Sequence, residues 1–246
     1  MEEKNKNDLK VNGIMTLPGG IFNNVKINGQ LALTSDLECS EFYVNGILTV
    51  TGNLKAGKGK VNGKACFKGD VEADAFYILG KTDITGNSKI NDLKVEGQLE
   101  SSGNLLANDI NIFGEVTVKG DCNAELFKSK GAFSIGGLLN SGTVDVELHG
   151  KCSANEIGGE QIKIVKGTDY YFKKLVKSIF NPFNLFDGYL TINTIEGDEI
   201  YLENTKAKIV RGDKVKIGPN CEIGIVEFKN KFELNDKSTV TENKKI

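Results

Sequence analysis

The chain is predicted to be all-β: a single-stranded parallel β-helix, or right-handed β-solenoid, of about 17 residues per coil, carrying one short helical insertion. Three observations predict it. From Gly46 onward every seventeenth position is a glycine, at Gly63, Gly80, Gly97, Gly114 and Gly131. A second glycine follows each one six places later, at Gly52, Gly69, Gly86, Gly103, Gly120 and Gly137. Apolar residues keep the same beat, as in the series Val11, Ile27, Val44, Val61, Ile78, Val95 and Ile112. A fixed period of this size marks a chain that stacks one small unit on itself, each unit being stable only against its neighbours.

Residues 1–8 read as a polar tail. From Leu9 to about residue 167 the coils follow. Within each, apolar sites alternate with Lys, Asp, Asn, Thr and Glu, as strands with one dry face and one wet face require, and no coil keeps the 3.6-residue spacing of a helix. Asn-Gly at the first corner (Asn12-Gly13, Asn28-Gly29, Asn45-Gly46, Asn62-Gly63) and Gly-Asn or Gly-Asp at the second supply residue types that tolerate positive φ. Asn-Gly between alternating strands also signals hairpins, so an antiparallel meander is the rival. A meander has no reason to keep a small residue at one phase of every unit, as Cys39, Ala56, Ala73, Ala107 and Ala124 do. Coils that land on their predecessors do have one.

The array loosens after Phe127. Cys152, Ala154 and Ile157 repeat the phase of Cys122, Ala124 and Phe127 four positions sooner than two full coils would place them, which predicts one short coil. Residues 168–187 then read TDYYFKKLVKSIFNPFNLFD, an aromatic and basic insertion. Phe172, Leu175, Val176 and Ile179 form a helical stripe that Pro182 would end. Two roles stand open for it: a helix packed on the solenoid side, or an interfacial membrane or partner contact through Phe172, Leu175, Val176, Ile179, Phe180 and Phe183. Strands return over 188–234 as a second, shorter stack, with Val226, Phe228, Phe232 and Leu234 in its last layers. The polar tail 235–246 would cover or leave that terminal edge. Leu9 and Val11 form the opposite end layer.

Composition agrees. There are 29 Gly, three Pro and no Trp in 246 residues, a lean, turn-rich β composition. The 31 basic and 33 acidic residues give a formal charge of −2 with no basic stripe, so no nucleic acid is expected as a partner. No phosphate-binding GxxxxGK[ST] loop occurs, so no nucleotide is expected either. A charged start without an apolar segment and the lack of any 18-residue apolar run predict a cytoplasmic protein. Five cysteines without a CxxC pair read as reduced structural thiols, and no metal or cofactor is expected.

The unit YVNGILTVTGNLKAGKG, from Tyr43 to Gly59, resembles the bactofilins. The segment IEGDEIYLENTKAKIVRGDKVKIGPNCEIGIVEF resembles the longer bactofilin-like, polymer-forming cytoskeletal proteins of Gram-positive bacteria. The resemblance implies a right-handed β-helix that joins end to end without nucleotide, associates with the inner face of the membrane, and scaffolds envelope or motility machinery. Its implied partners are itself or a paralogous subunit, and envelope proteins. The chain departs from short bactofilins in its length, its insertion and its lack of proline-rich tails.

Catalysis finds little support. IGPNCEIG hints at a hexapeptide acyltransferase, but the single histidine, His149, is far from it in sequence and has no recognisable partner constellation. Asp70 with Asp121, and Asp74 with Asn91 and Asn108, share phases as a lyase or hydrolase would want, yet they stand at corners, where Asp and Asn are turn formers first. Two functions therefore stand: a non-enzymatic, self-associating scaffold working through its end layers, and a monomeric carbohydrate-binding or carbohydrate-active solenoid working through a lateral face.

Overall fold

A computed structural model describes residues 7–168 and 188–246. Among these residues all regular structure is β and no helix occurs. The predicted helical insertion lies outside the described residues, apart from Thr168. The chain divides into two compact units, Met1–Asn108 with Val116–Val118, and Asp109–Glu115 with Lys119–Ile246. Each is a parallel β-solenoid.

In the first unit, short and long strands alternate. After β1 (Leu9–Val11), the short strands are β2 (Ile14–Leu17), β4 (Gln30–Leu33), β6 (Ile47–Val50), β8 (Lys64–Phe67), β10 (Lys81–Ile84) and β12 (Gln98–Ser101). The long ones are β3 (Gly20–Ile27), β5 (Leu37–Val44), β7 (Leu54–Val61), β9 (Val71–Ile78) and β11 (Ser88–Val95). Every pairing is parallel and joins like to like: Leu37 lies against Leu54, and Ile47 against Lys64, each one full period on. The meander is thereby excluded. The first coil alone is shorter, with Leu9 against Val25 and Ile14 against Gln30.

Stacking in register turns the period into columns of buried side chains. One column runs Ile27, Val44, Val61, Ile78, Val95, all buried. Another runs Phe42, Gly59, Phe76. The absent side chain of Gly59 is what makes room there: a Cβ at that position would collide with the Phe42 ring. The Phe42 and Phe76 rings close over the gap, edge to face with centroids 5.5 Å apart, and Phe67 joins from the facing side at 6.2 Å from each. Aromatic pairs of this geometry add about 0.5–1.5 kcal/mol each beyond their burial.

The corners explain why the period is rigid. At the first corner Asn28, Asn45 and Asn62 each donate a side-chain amide N–H to the Asn Oδ1 of the coil before, at 2.9, 2.9 and 2.8 Å. At the second, the backbone N–H groups of Asn53, Asp70, Asn87 and Asn104 donate to the side-chain oxygens of Asp36, Asn53, Asp70 and Asn87, at 2.7–3.0 Å. The glycines beside the asparagines are not there for positive φ, which among glycines is confined to Gly19 and Gly20. A Cβ on Gly46 would overlap the carbonyl oxygen of Gly29, and one on Gly63 that of Gly46. Close backbone approach between coils excludes every other residue type.

The division between the units falls within β13 (Leu105–Ile112) and β14 (Glu115–Val118). The second unit contains β15 (Cys122–Ser129), then longer strands that bend around whole coils: β16 (Ala132–Leu148), β17 (Lys151–Lys166), β18 (Tyr189–Leu202), β19 (Thr205–Ile217) and β20 (Glu222–Leu234), with a short last strand β21 (Thr239–Lys245). Two expectations change here. The coil near Gly150 is long, not short: Cys152 lies on Phe133 and Ile157 on Leu139, both spacings wider than the period of the first unit, with an irregularity in register between Ile135 and Leu138. The phase of Cys122 passes to Leu139 and Ile157 instead of Cys152. Nor do the later strands begin a second stack. β18 pairs with β17 from Lys151↔Tyr189 to Ile164↔Leu202, so the chain rejoins the coil it left.

Candidate functional site

A solenoid offers three kinds of surface: its lateral faces, its insertions and its terminal coils. The lateral candidates resolve into structure. Asp70 Oδ1 accepts the Asn87 N–H at 2.7 Å, and Asp121 Oδ1 accepts the Leu138 N–H at 2.9 Å, so both carboxylates fix corners. Asp74 accepts the Asn91 amide at 3.3 Å. A shallow groove of about 440 Å³ in the second unit is lined by Gln161, Lys163, Glu199, Tyr201, Lys214 and Lys231, among others. Its charges are largely spent on one another: Lys214 meets Glu199 at 2.8 Å, and Lys231 and Lys216 meet Glu233 at 2.6 and 3.4 Å. Tyr201 gives its hydroxyl hydrogen to Glu203 at 2.6 Å, which pushes its pKa up to about 12.

His149 is buried, with Nε2 3.4 Å from Glu147 Oε2, and its ring packs on Gly167. Gly167 donates to the Leu148 carbonyl at 3.1 Å, and a Cβ on Gly188 would overlap that same carbonyl. The two stems of the insertion thus sit together on Leu148 and His149. The histidine holds the stem rather than facing a cleft. Phe172, Leu175, Val176, Ile179, Phe180 and Phe183 lie outside the described residues. Among the described residues no His, Cys, Asp and Glu cluster could hold a metal. None of the five cysteines forms a disulfide, and burial pushes the Cys122 and Cys152 thiols up to about 12. No helix among the described residues is long and apolar enough to cross a membrane.

The terminal coils remain. Leu9 and Val11 stand where expected, in the first layer, against Val25 and Ile27. The apolar beat places Leu17 in the column of Leu33, as observed, but not among the end-layer contacts; Met15 and Phe22, which occupy the inward columns of Leu31 and Cys39, escape sequence reasoning. Met15 is 43% exposed where Leu31, one coil on, is fully buried. On the outward side Ile14 is 84% and Ile21 59% exposed. From Leu9 to Phe22 the coil carries a single charged residue, Lys10. Columns of inward apolar residues that stop at an uncovered layer were the signal available in the sequence.

At the other end the expectation is only half met. Phe232 and Leu234 lie on Val215 and Ile217, with no strand among the described residues on their outer side, and Phe232 stacks on Phe228 at 5.5 Å. Val226 and Phe228 are not terminal. β21, drawn from the polar tail, lies on them in parallel register, placing Asn243 on Val226 and Lys245 on Phe228.

No protein-family model matches the chain, and no solved structure matches it. It is similar to two proteins of Bacillus subtilis (strain 168). To the uncharacterized protein YhbE it is 53% identical over 241 residues, covering 97% of this chain and 98% of that protein. To the uncharacterized protein YhbF it is 38% identical over 111 residues, 45% of this chain and 42% of that protein, so this match spans less than half of YhbF. The chain belongs to the YhbE family.

Proposed function

We propose that the protein is a non-enzymatic structural scaffold that self-associates through a terminal coil of its solenoid. The observation that carries this reading is the first coil, whose inward Leu9, Met15, Leu17 and Phe22 continue the core columns but, among the described residues, are covered on one side only. An uncovered sheet edge with apolar residues is a template for another edge. A partner related by sequence is the alternative to a second copy, since the chain resembles two proteins of one organism. The insertion at 168–187, whose stems are fixed on Leu148 and His149, is the element proposed to tether the scaffold to the inner membrane surface or to an envelope protein, by virtue of its aromatic and basic composition. The likeness to bactofilins supports the same reading.

Sedimentation velocity of the purified protein across concentration and salt tests it. Species heavier than the 26.7 kDa chain, insensitive to salt as apolar contacts are, support the scaffold. A monomer at every concentration, with glycan binding lost on Asp70→Ala, would establish the carbohydrate reading instead.

A further inference from the structure

We propose that self-association stops at a closed pair: two copies join through their first coils, related by a two-fold axis, and β21 forbids growth at the other end. This rests on the scaffold reading and fixes its stoichiometry.

The two ends differ in chemistry. Beside Val240, which lies on Ile223, the last coil points polar groups inward: the column Val210, Val226 ends in Asn243, and the column Gly212, Phe228 ends in Lys245. Any edge stacked there would bury an amide and an ammonium group without partners, the device by which natural sheets block edge-to-edge growth. β21 is firmly placed. Thr239 N donates to Cys221 O at 2.9 Å and Ile246 N to Phe228 O at 2.9 Å, while the Ser238 hydroxyl donates to Gly218 O at 2.6 Å and accepts the Cys221 N–H at 2.8 Å. β21 covers the Glu222–Phe228 part of β20 and leaves Lys231–Leu234 bare, so the end is stepped by one strand spacing, about 4.8 Å.

The first coil ends in a step of the same kind, with β1 over Val25–Ile27 of β3 and Gly20–Phe22 left at the edge, but it carries no inward charge. Its three straight segments carry inward Leu9 and Val11, Met15 and Leu17, and Phe22. Edge backbone groups without partners among the described residues, at this segment length and corner spacing, are matched by another coil end. With the last coil blocked, the matching end is the first coil of a second copy. Two like ends meet about a two-fold axis with their strands antiparallel, an isologous contact that uses itself up and leaves nothing to extend. Charge favours it as well: antiparallel apposition of β1 about Leu9 sets Lys10 of each copy opposite Asp8 of the other.

Mass photometry and sedimentation of the full chain, wild type and variants, provide the test. Wild type is expected as a dimer. Met15→Asp should weaken it at least 100-fold with the circular dichroism spectrum and melting temperature kept. Leu9→Cys, which the two-fold axis sets opposite its own copy, should give an oxidised covalent dimer and serves as the check should Met15→Asp misfold. Asn243→Val with Lys245→Leu should convert dimers into longer, sedimentable chains. Filaments from the wild type would overturn the cap while leaving self-association standing. A monomeric wild type would overturn both. A dimer that tolerates Met15→Asp and does not cross-link through Leu9→Cys would place the contact elsewhere and overturn the proposal.

Discussion

The two units solve one problem, stacking coils in parallel register, by different means. In the first, coil length from β3 onward is held at 17 residues by two ladders of Asn and Asp at the corners, and the core adapts to that length, even leaving Gly59 empty between Phe42 and Phe76. In the second, coil length varies. The step from Leu190 to its partner Thr205 is shorter than that period, the step from Lys206 to Glu222 is shorter too, and the step from Phe133 to Cys152 is longer. There the coils are tied by charged side chains on the strands, as where Arg211 reaches Glu196 at 3.0 Å and Glu227 at 2.7 Å, two coils apart from each other. Two corners turn on Asn204 and Asn220 in the left-handed region. The difference teaches that the period belongs to the corner hydrogen bonds and not to the hydrophobic columns, which tolerate shorter and longer coils so long as register is regained.

Substitutions can break or sharpen this contrast. The largest loss is expected from Phe76→Ala, which empties a site already opened by Gly59; chemical denaturation should show a cost of about 3–5 kcal/mol. Gly63→Ala forces a Cβ into a carbonyl oxygen of the preceding coil and should cost about 3 kcal/mol. Gly212→Ala in the second unit meets the Gly197 carbonyl oxygen at 2.8 Å, less closely than Gly63→Ala meets that of Gly46, and then the ends of Ile200 and Val215, and should cost roughly half of that by the same measure. Equal costs would argue that the second unit is as tightly wound as the first. Asn45→Ala removes one rung of the amide ladder and should cost about 1 kcal/mol. Arg211→Ala, whose partners are partly exposed, should cost under about 1 kcal/mol and lose that effect in high salt.

One pH effect falls in the first coil. The Asn24 N–H and side-chain amide hold the Asp8 carboxyl below its usual value. Because the folded value is depressed, its support is present above the unfolded value and is lost as pH falls through the folded one. Amide exchange of Asn24 should therefore rise on acidification before that of Val44.

The charge pattern adds a second kind of specificity. Outward residues of successive coils run Glu38, Lys55, Glu72, Lys89 in one column, alternating in sign. A slip by one coil would set Glu38 on Glu72 and Lys55 on Lys89, so like charges oppose the misregistered stack. Between Lys60 and Lys94 the same logic places Tyr77, with the two ammonium groups 5.3 and 4.9 Å from its ring centroid.

How much of this could be read from the chain follows from range. The columns were legible because each repeats at one phase: Val44, Val61 and Ile78 declare themselves by position alone. Gly59 was not, since a missing side chain in a core column looks like another corner glycine until the rings of Phe42 and Phe76 are seen to fill it. Leu9, Val11 and Leu17 are legible by phase, whereas Met15 and Phe22 are not. At the far end, Val226 and Phe228 were taken for the final layer because nothing in TVTENKK alternates like a buried strand. Its residues are exposed, and it is held as β21 by backbone pairing to β20 rather than by burial.

The sequence by itself determined the parallel solenoid, its coil length and the identity of its buried columns, because those depend on local alternation repeated at a constant interval. Only the tertiary structure decided that the late strands rejoin the earlier stack, that the corner glycines answer to a neighbouring carbonyl, and that one end is closed by a polar strand while the other stays apolar. Each of those depends on which residue lies one coil away, a distance in space that irregular spacing hides from the chain.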